Sequence, residues 1–143
     1  LHHEIKANIE HIGQNTKSYQ KIKSVLSKNS KAIFQGKIYV GTNAQKTNGY
    51  QLSKAILLDH DSEFDSKPEL EIYADDVKCS HGSTSGSLDE DAIFYLMSRG
   101  LNRFDSKNLL IKGFLADAIK TITNEEIKKH FLNELVKKIN ELR

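Results

Sequence analysis

The sequence predicts a mainly β chain that ends in an α-helical part. Three observations carry this. Residues 1–87 form a succession of short runs in which apolar and polar residues alternate, each run closed by a polar turn. No stretch of helical period lies between those runs, which argues against βαβ units. From residue 88 onward the apolar residues recur at helical spacing behind capping signals. The chain therefore divides into a β part, 1–87, and a helical part, 88–143.

The β runs are residues 4–12, 19–26, 32–40, 55–58 and 70–77, with turns at 13–17, 27–31, 41–49 and 59–67. Alternation is clearest from Ile33 to Val40 and from Leu70 to Ala74. Strand period alone leaves an antiparallel sandwich and stacked coils of a β-helix both open. The segment from Gly82 to Gly86 reads as a flexible joint. Ser87 and Glu90 suit a capping box for a helix over 88–99, with Ile93, Phe94, Leu96 and Met97 on its apolar face and Gly100 just past its end. A second helix is predicted after Asp105 or Ser106, containing Leu109, Leu110, Phe114, Ala118 and Ile119. Thr123 and Glu126 suit a further capping box, followed by Ile127, Phe131, Leu135, Ile139 and Leu142. These faces exceed what short helices bury between themselves, so some must meet the β part or a partner.

Composition narrows the function. The chain has 143 residues, 38% hydrophobic and 28% charged, with a formal net charge of +2. Charge is spread evenly along it, so nothing points to nucleic acid. No apolar run approaches the roughly 20 residues of a spanning helix, so no membrane role is expected. A single cysteine argues against a disulfide framework and suits a reducing, cytoplasmic setting. No phosphate-binding loop of the G-x-x-x-x-G-K-[ST] type occurs, so ATP hydrolysis by this chain is not expected.

The candidate chemical site is Cys79 with His81, at the change of period. Residues two apart in a strand share a face, so thiol and imidazole would point the same way with Ser80 opposite. Both are ligands for iron and zinc, but two ligands leave a tetrahedral site incomplete. The structural alternative is a buried thiol beside a hydrogen-bonded histidine. Other constellations are weaker. Residues 59–65 hold Asp59, Asp61, Glu63 and Asp65 but lack the rhythm and glycine of a calcium loop, and read as a solvated turn. Asp75 and Asp76 would face opposite ways in a strand. No G-x-S-x-G elbow is present. His11, His60 and His130 read as surface histidines, and His2 and His3 carry no assigned role.

Several longer blocks go further. Residues 67–82 read K-P-E-L-E-I-Y-A-D-D-V-K-C-S-H-G, residues 34–40 fit F-x-G-x-I-x-V, and residues 44–51 fit A-Q-K-T-N-x-x-Q. With Asn15-Thr16-Lys17-Ser18, these resemble the SufB/SufD family of iron–sulfur cluster assembly scaffolds, its SufD branch more than its SufB branch, over about residues 10–120. Ser83 departs conservatively from the alanine more common there. The resemblance implies the C-terminal coils of a right-handed parallel β-helix followed by a small helical domain, in a fragment of a longer protein. It implies a non-enzymatic scaffold that pairs with a SufB-like subunit. His81 would be the main cluster-assembly residue and possible metal ligand shared with that subunit, and Cys79 its neighbour at the interface. It implies that residues 88–119, including Phe94, Met97, Lys107, Leu110, Lys112 and Phe114, bind a SufC-like ABC ATPase whose ATP-driven movement rearranges the interface. No cofactor is expected on the chain alone, since the iron–sulfur cluster is assembled transiently in the complex. Self-association of the isolated chain into a homodimer is a further expectation.

A second reading, from another class, is a β-helix protein that binds or cleaves carbohydrate. It would have to use the acidic residues 59–65, and the absence of tryptophan counts against it.

Overall fold

The alternating runs become six strands of ten or eleven residues, and pairing between them is parallel throughout. The computed structural model of the chain describes residues 1–141; Leu142, read above as the last apolar position of the final helix, lies outside the described residues. The strands are β1 (His2–His11), β2 (Lys17–Leu26), β3 (Lys31–Val40), β4 (Thr47–Leu57), β5 (Glu63–Ile72) and β6 (Val77–Gly86). Three helices follow: α1 (Glu90–Ser98), α2 (Arg103–Ile119) and α3 (Glu125–Glu141). The chain visits two sheets in turn, so that one has the order β1-β3-β5 and the other β2-β4-β6. Each return pairs residues 29 to 32 positions apart: His2 with Lys31, Lys17 with Asn48, Lys31 with Glu63, Thr47 with Val77. This stacking of like strands sets aside the antiparallel sandwich.

Alternation decides which side chains enter the space between the sheets. Phe34, Gly36, Ile38 and Val40 of β3 point inward, as do Thr47, Gly49, Gln51, Ser53 and Ala55 of β4. Ile38, Val40, Ala44 and Ala74 form the apolar centre, with Leu70, Val77 and Cys79 packed against it. The layers are tight. A Cβ on Gly36 would lie 1.6 Å from the Gln51 Nε2 and 2.6 Å from the Phe34 ring, so glycine is needed for this close approach.

The turns stack as the strands do. Asn15 and Lys46 both adopt φ 59° at the same place in successive circuits. The Asn15 N–H donates to the Gln45 carbonyl at 2.9 Å, and the Lys46 N–H to the Asp76 carbonyl at 2.6 Å. On the opposite edge the Asp59 carboxylate accepts from the Lys28 N–H at 2.5 Å. A hydrogen bond from Ser62, helped by backbone N–H groups, holds the Asp59 carboxyl below the usual carboxylate range. Lys31 binds Glu63 at 2.9 Å and Lys67 lies 3.5 Å from Asp65. The acidic stretch thus serves turn stacking and surface pairing.

Several elements differ from the sequence expectation, each for a physical reason. β4 begins at Thr47, well before the apolar run at 55–58, because its inward row starts with the small and polar residues Thr47, Gly49, Gln51 and Ser53. β5 covers residues read as a turn, and Pro68 is tolerated inside it because β5 is an edge strand of its sheet. The serine- and glycine-rich segment read as a joint is the second half of β6. Caps also move. Asp89, not Ser87, caps α1 by accepting from the Asp91 and Ala92 N–H groups. Asn102 caps α2, which starts at Arg103 rather than after Asp105. The Asn124 carboxamide oxygen accepts from the Ile127 N–H at the start of α3. Gly100, at φ 103°, ends α1 in the left-handed region as predicted.

His11 is buried, not on the surface. Its ring nitrogens lie 2.7 Å from the Thr16 Oγ1 and 2.8 Å from the Ser18 Oγ, and Thr16 continues to the Thr47 Oγ1 at 2.9 Å. Removal from water lowers its pKa. Between the ordinary histidine pKa, about 6.5, and the lowered folded value, the unfolded chain binds more protons than the folded one. Stability supplied by neutral His11 is therefore complete above that ordinary value and is lost as pH falls through the folded one. Thermal melts should show this acid-side loss, and His11→Ala should remove it while lowering stability at pH 7 by about 1–3 kcal/mol through the stranded hydroxyls. Gly36→Ala, measured the same way, should cost about 1–3 kcal/mol by overpacking.

Candidate functional site

β6 is the last strand before the helices, and it lies at one edge of the sheet β2-β4-β6. β5 forms the matching edge of the other sheet, so both end at the same circuit. Strand edges present a row of backbone N–H and C=O groups suited to pairing with another chain.

The register sets Cys79 beside Gly49 and His81 beside Gln51. Gly49 and Gln51 both face inward, so Cys79 and His81 belong to the inward row and Ser80 to the outer face, as the strand period predicts. Their surroundings differ. Cys79 is a free, half-buried thiol on the apolar centre, with its Sγ 3.4 Å from where a Gly49 Cβ would stand. His81 is exposed, and among the described residues no further strand pairs with β6 beyond β4. Among the described residues no side-chain hydrogen bond or ion pair engages the His81 ring, and no three histidine, cysteine, aspartate or glutamate side chains converge as a metal site. Thiol and imidazole are an apt but incomplete donor set for a soft or borderline metal, and further ligands would have to come from another chain.

The helices form the second candidate region. α1 anchors itself with the fully buried Ile93 while leaving Phe94 73% and Met97 41% exposed. Leu101, Phe104 and Leu109 are exposed as well, as is Lys112, while Lys107 and Leu110 are half-buried. Phe114 points elsewhere. The Lys23 ammonium of β2 stands 4.6 Å from its ring centroid and donates to its carbonyl at 2.9 Å. Lys23 also lies 2.6 Å from the Asp117 Oδ2, and Lys21 3.3 Å from it. These contacts fix α2 to the outer face of β2. The sequence reading missed Lys21, Lys23 and Asp117, which are far apart in the chain; only the lysines' outward positions in a strand hinted at a partner.

A family model, "SUF system FeS cluster assembly, SufBD core domain", matches residues 1–114. The chain belongs to the SufBD family. That match takes in all six strands, α1 and most of α2. Among curated relatives, the "Iron-sulfur cluster assembly protein SufD" of Escherichia coli (strain K12) is 41% identical over 124 residues, 87% of this chain and 29% of the relative. The protein of the same name from Bacillus subtilis (strain 168) is 30% identical over 131 residues, 92% of this chain and 30% of the relative. An "Iron-sulfur cluster assembly SufBD family protein" of Synechocystis is 43% identical over 100 residues, 70% of this chain and 22% of the relative. The chain spans less than a third of the length of these SufBD relatives. No helix among the described residues is long and apolar enough to cross a membrane.

The Asp117 cluster yields a pH test. Lys23 and then Lys21 hold the Asp117 carboxyl down to about 2. A depressed carboxylate stabilises the fold above its unfolded pKa, about 3.9, and that contribution is lost as pH falls through the folded value. Asp117→Asn should therefore lower the melting temperature at pH 7, and wild type and variant should converge as pH falls from 4 to 2.

Proposed function

We propose that this chain is part of a non-catalytic scaffold subunit of a SUF-type iron–sulfur cluster assembly complex in the cytoplasm. Two parallel sheets visited in turn suit the right-handed parallel β-helix of that reading. The β5/β6 edge is the surface for a SufB-like subunit, and a second copy of this chain would use the same edge in isolation. His81 acts as a metal ligand toward the nascent cluster, which is the cargo of the complex, and Cys79 is its neighbour at the interface. The helical domain, residues 88–143, binds a SufC-like ABC ATPase, with Phe94, Met97, Lys107, Leu110 and Lys112 toward the ATPase and Phe114 holding α2 in place.

The observation that carries this reading is the position of His81. An exposed imidazole in the inward row of an edge strand contributes little to the core. Its donor set lacks ligands that a partner at the same edge can add. The exposed apolar surface of α1 and the start of α2 supports a docking role for the helices. The carbohydrate reading has less support, since Asp59 and Glu63 are already engaged in turn and surface contacts.

The test is complementation. In the full-length protein, His81→Ala should abolish or strongly reduce growth of a SUF-dependent strain while the complex purifies in normal yield. Full growth would remove the ligand role. Cys79→Ser should be milder. Lys112→Glu, on the exposed side of α2, should weaken co-purification of the SufC-like ATPase in a salt-dependent way without lowering the melting temperature. Unchanged binding across several such reversals would move the docking surface elsewhere.

A further inference from the structure

The space between the sheets contains a row of long polar side chains with no protein partner. The register aligns Gln20 with Gln51, and Gln51 with His81. Gln51 is 1% exposed and Gln20 8%, and neither carboxamide makes a hydrogen bond through its nitrogen or its oxygen within the protein. Four such atoms in a core are costly if left unsatisfied, because each loses its hydrogen bonds to water without replacement. Native structures meet this need with bound water.

The facing row makes room for them. The register aligns Ala7, Gly36 and Pro68, none of which has a polar side chain. The space that a Gly36 Cβ would occupy is taken by the Gln51 amide, 1.6 Å away. The chain thus gives up a side chain at position 36 to admit an amide that makes no hydrogen bond within the protein. An apolar residue at position 51 would serve packing better, so the value of the amide lies in what it touches. One rung above it stands His81.

We propose that Gln51 is a positioning residue for His81. The amides of Gln20 and Gln51 hold bound water between the sheets, and that water accepts a hydrogen bond from the inward ring nitrogen of His81. The imidazole is thereby kept in one neutral tautomer, with the lone pair of its other nitrogen directed outward. A metal-binding imidazole needs this arrangement, because one nitrogen coordinates while the other N–H requires an acceptor. The inference rests on the reading of His81 as a ligand for its purpose, but not for its test.

The variant that isolates the amide is Gln51→Met, which keeps the length and loses the polar end. In full-length protein labelled with 15N-histidine, wild-type His81 should give the long-range 1H–15N pattern of a single tautomer. Gln51→Met should shift it to the mixed pattern of a free, exposed imidazole, while the melting temperature stays equal or rises. A mixed pattern in wild type, or no change in the variant, overturns the proposal. If Gln51→Met does not fold, the wild-type protein decides: the Gln51 side-chain amide protons should show cross-relaxation to long-lived water, and its absence overturns the proposal. A tautomer shift together with normal cluster assembly by His81→Ala would leave the positioning intact and remove only the ligand role.

Discussion

The β part and the surface at its end depend on the return of the backbone to the strand beneath it after 29 to 32 residues. Each return satisfies a ladder of backbone hydrogen bonds and brings like positions into columns. A column is inward or outward along its whole length, because strand period is 2. Ile9, Ile38 and Leu70 therefore form one inward column, and Ser18, Gly49 and Cys79 another. A slip of one residue in β3 would turn its inward row outward and strand the fully buried Phe34 and Ile38 in water. Burying each such side chain contributes about 1.5–3 kcal/mol.

The same constraint creates the site. A stack of parallel strands has ends, and its terminal circuit keeps an inward row without a further layer over it. Cys79 is held by the apolar centre, while His81, two residues on, is left open. A surface of this kind is built from ordinary strand geometry and needs no distortion at Cys79 or His81. The helices are secured independently: Lys21, Lys23 and Asp117 tie α2 to the outer face of β2, which leaves the β5/β6 edge to other contacts.

Much of this was legible in the residues. Ile33 to Val40 alternates without interruption and is β3; the switch to helical period near residue 88 is the passage from β6 to α1. The pairing of Cys79 and His81 on one face followed from their spacing. What could not be read has a common cause. The inward rows of β4 and β6 are small and polar, so no hydrophobic alternation marks them, and Thr47 to Ser53 and Gly82 to Gly86 resemble turns until a neighbouring strand supplies their ladder. His11 resembled a surface histidine because its partners Thr16 and Ser18 meet it only once β1 and β2 fold over each other. For β4 and β6 the deciding contact is a ladder about 30 residues away; for His11 it is a side-chain pairing five and seven residues on, across the turn from β1 to β2, which leaves no periodic pattern.

We read the terminal circuit, centred on β6, as a partner surface. Backbone amide hydrogen exchange of the full-length protein, alone and with a SufB-like subunit, tests it most directly. Residues 77–86 should become protected on complex formation, together with the β5 edge at 63–72, while β3 and β4 change little. Equal exchange of β6 in the free and bound states, with protection confined to other strands, would contradict it.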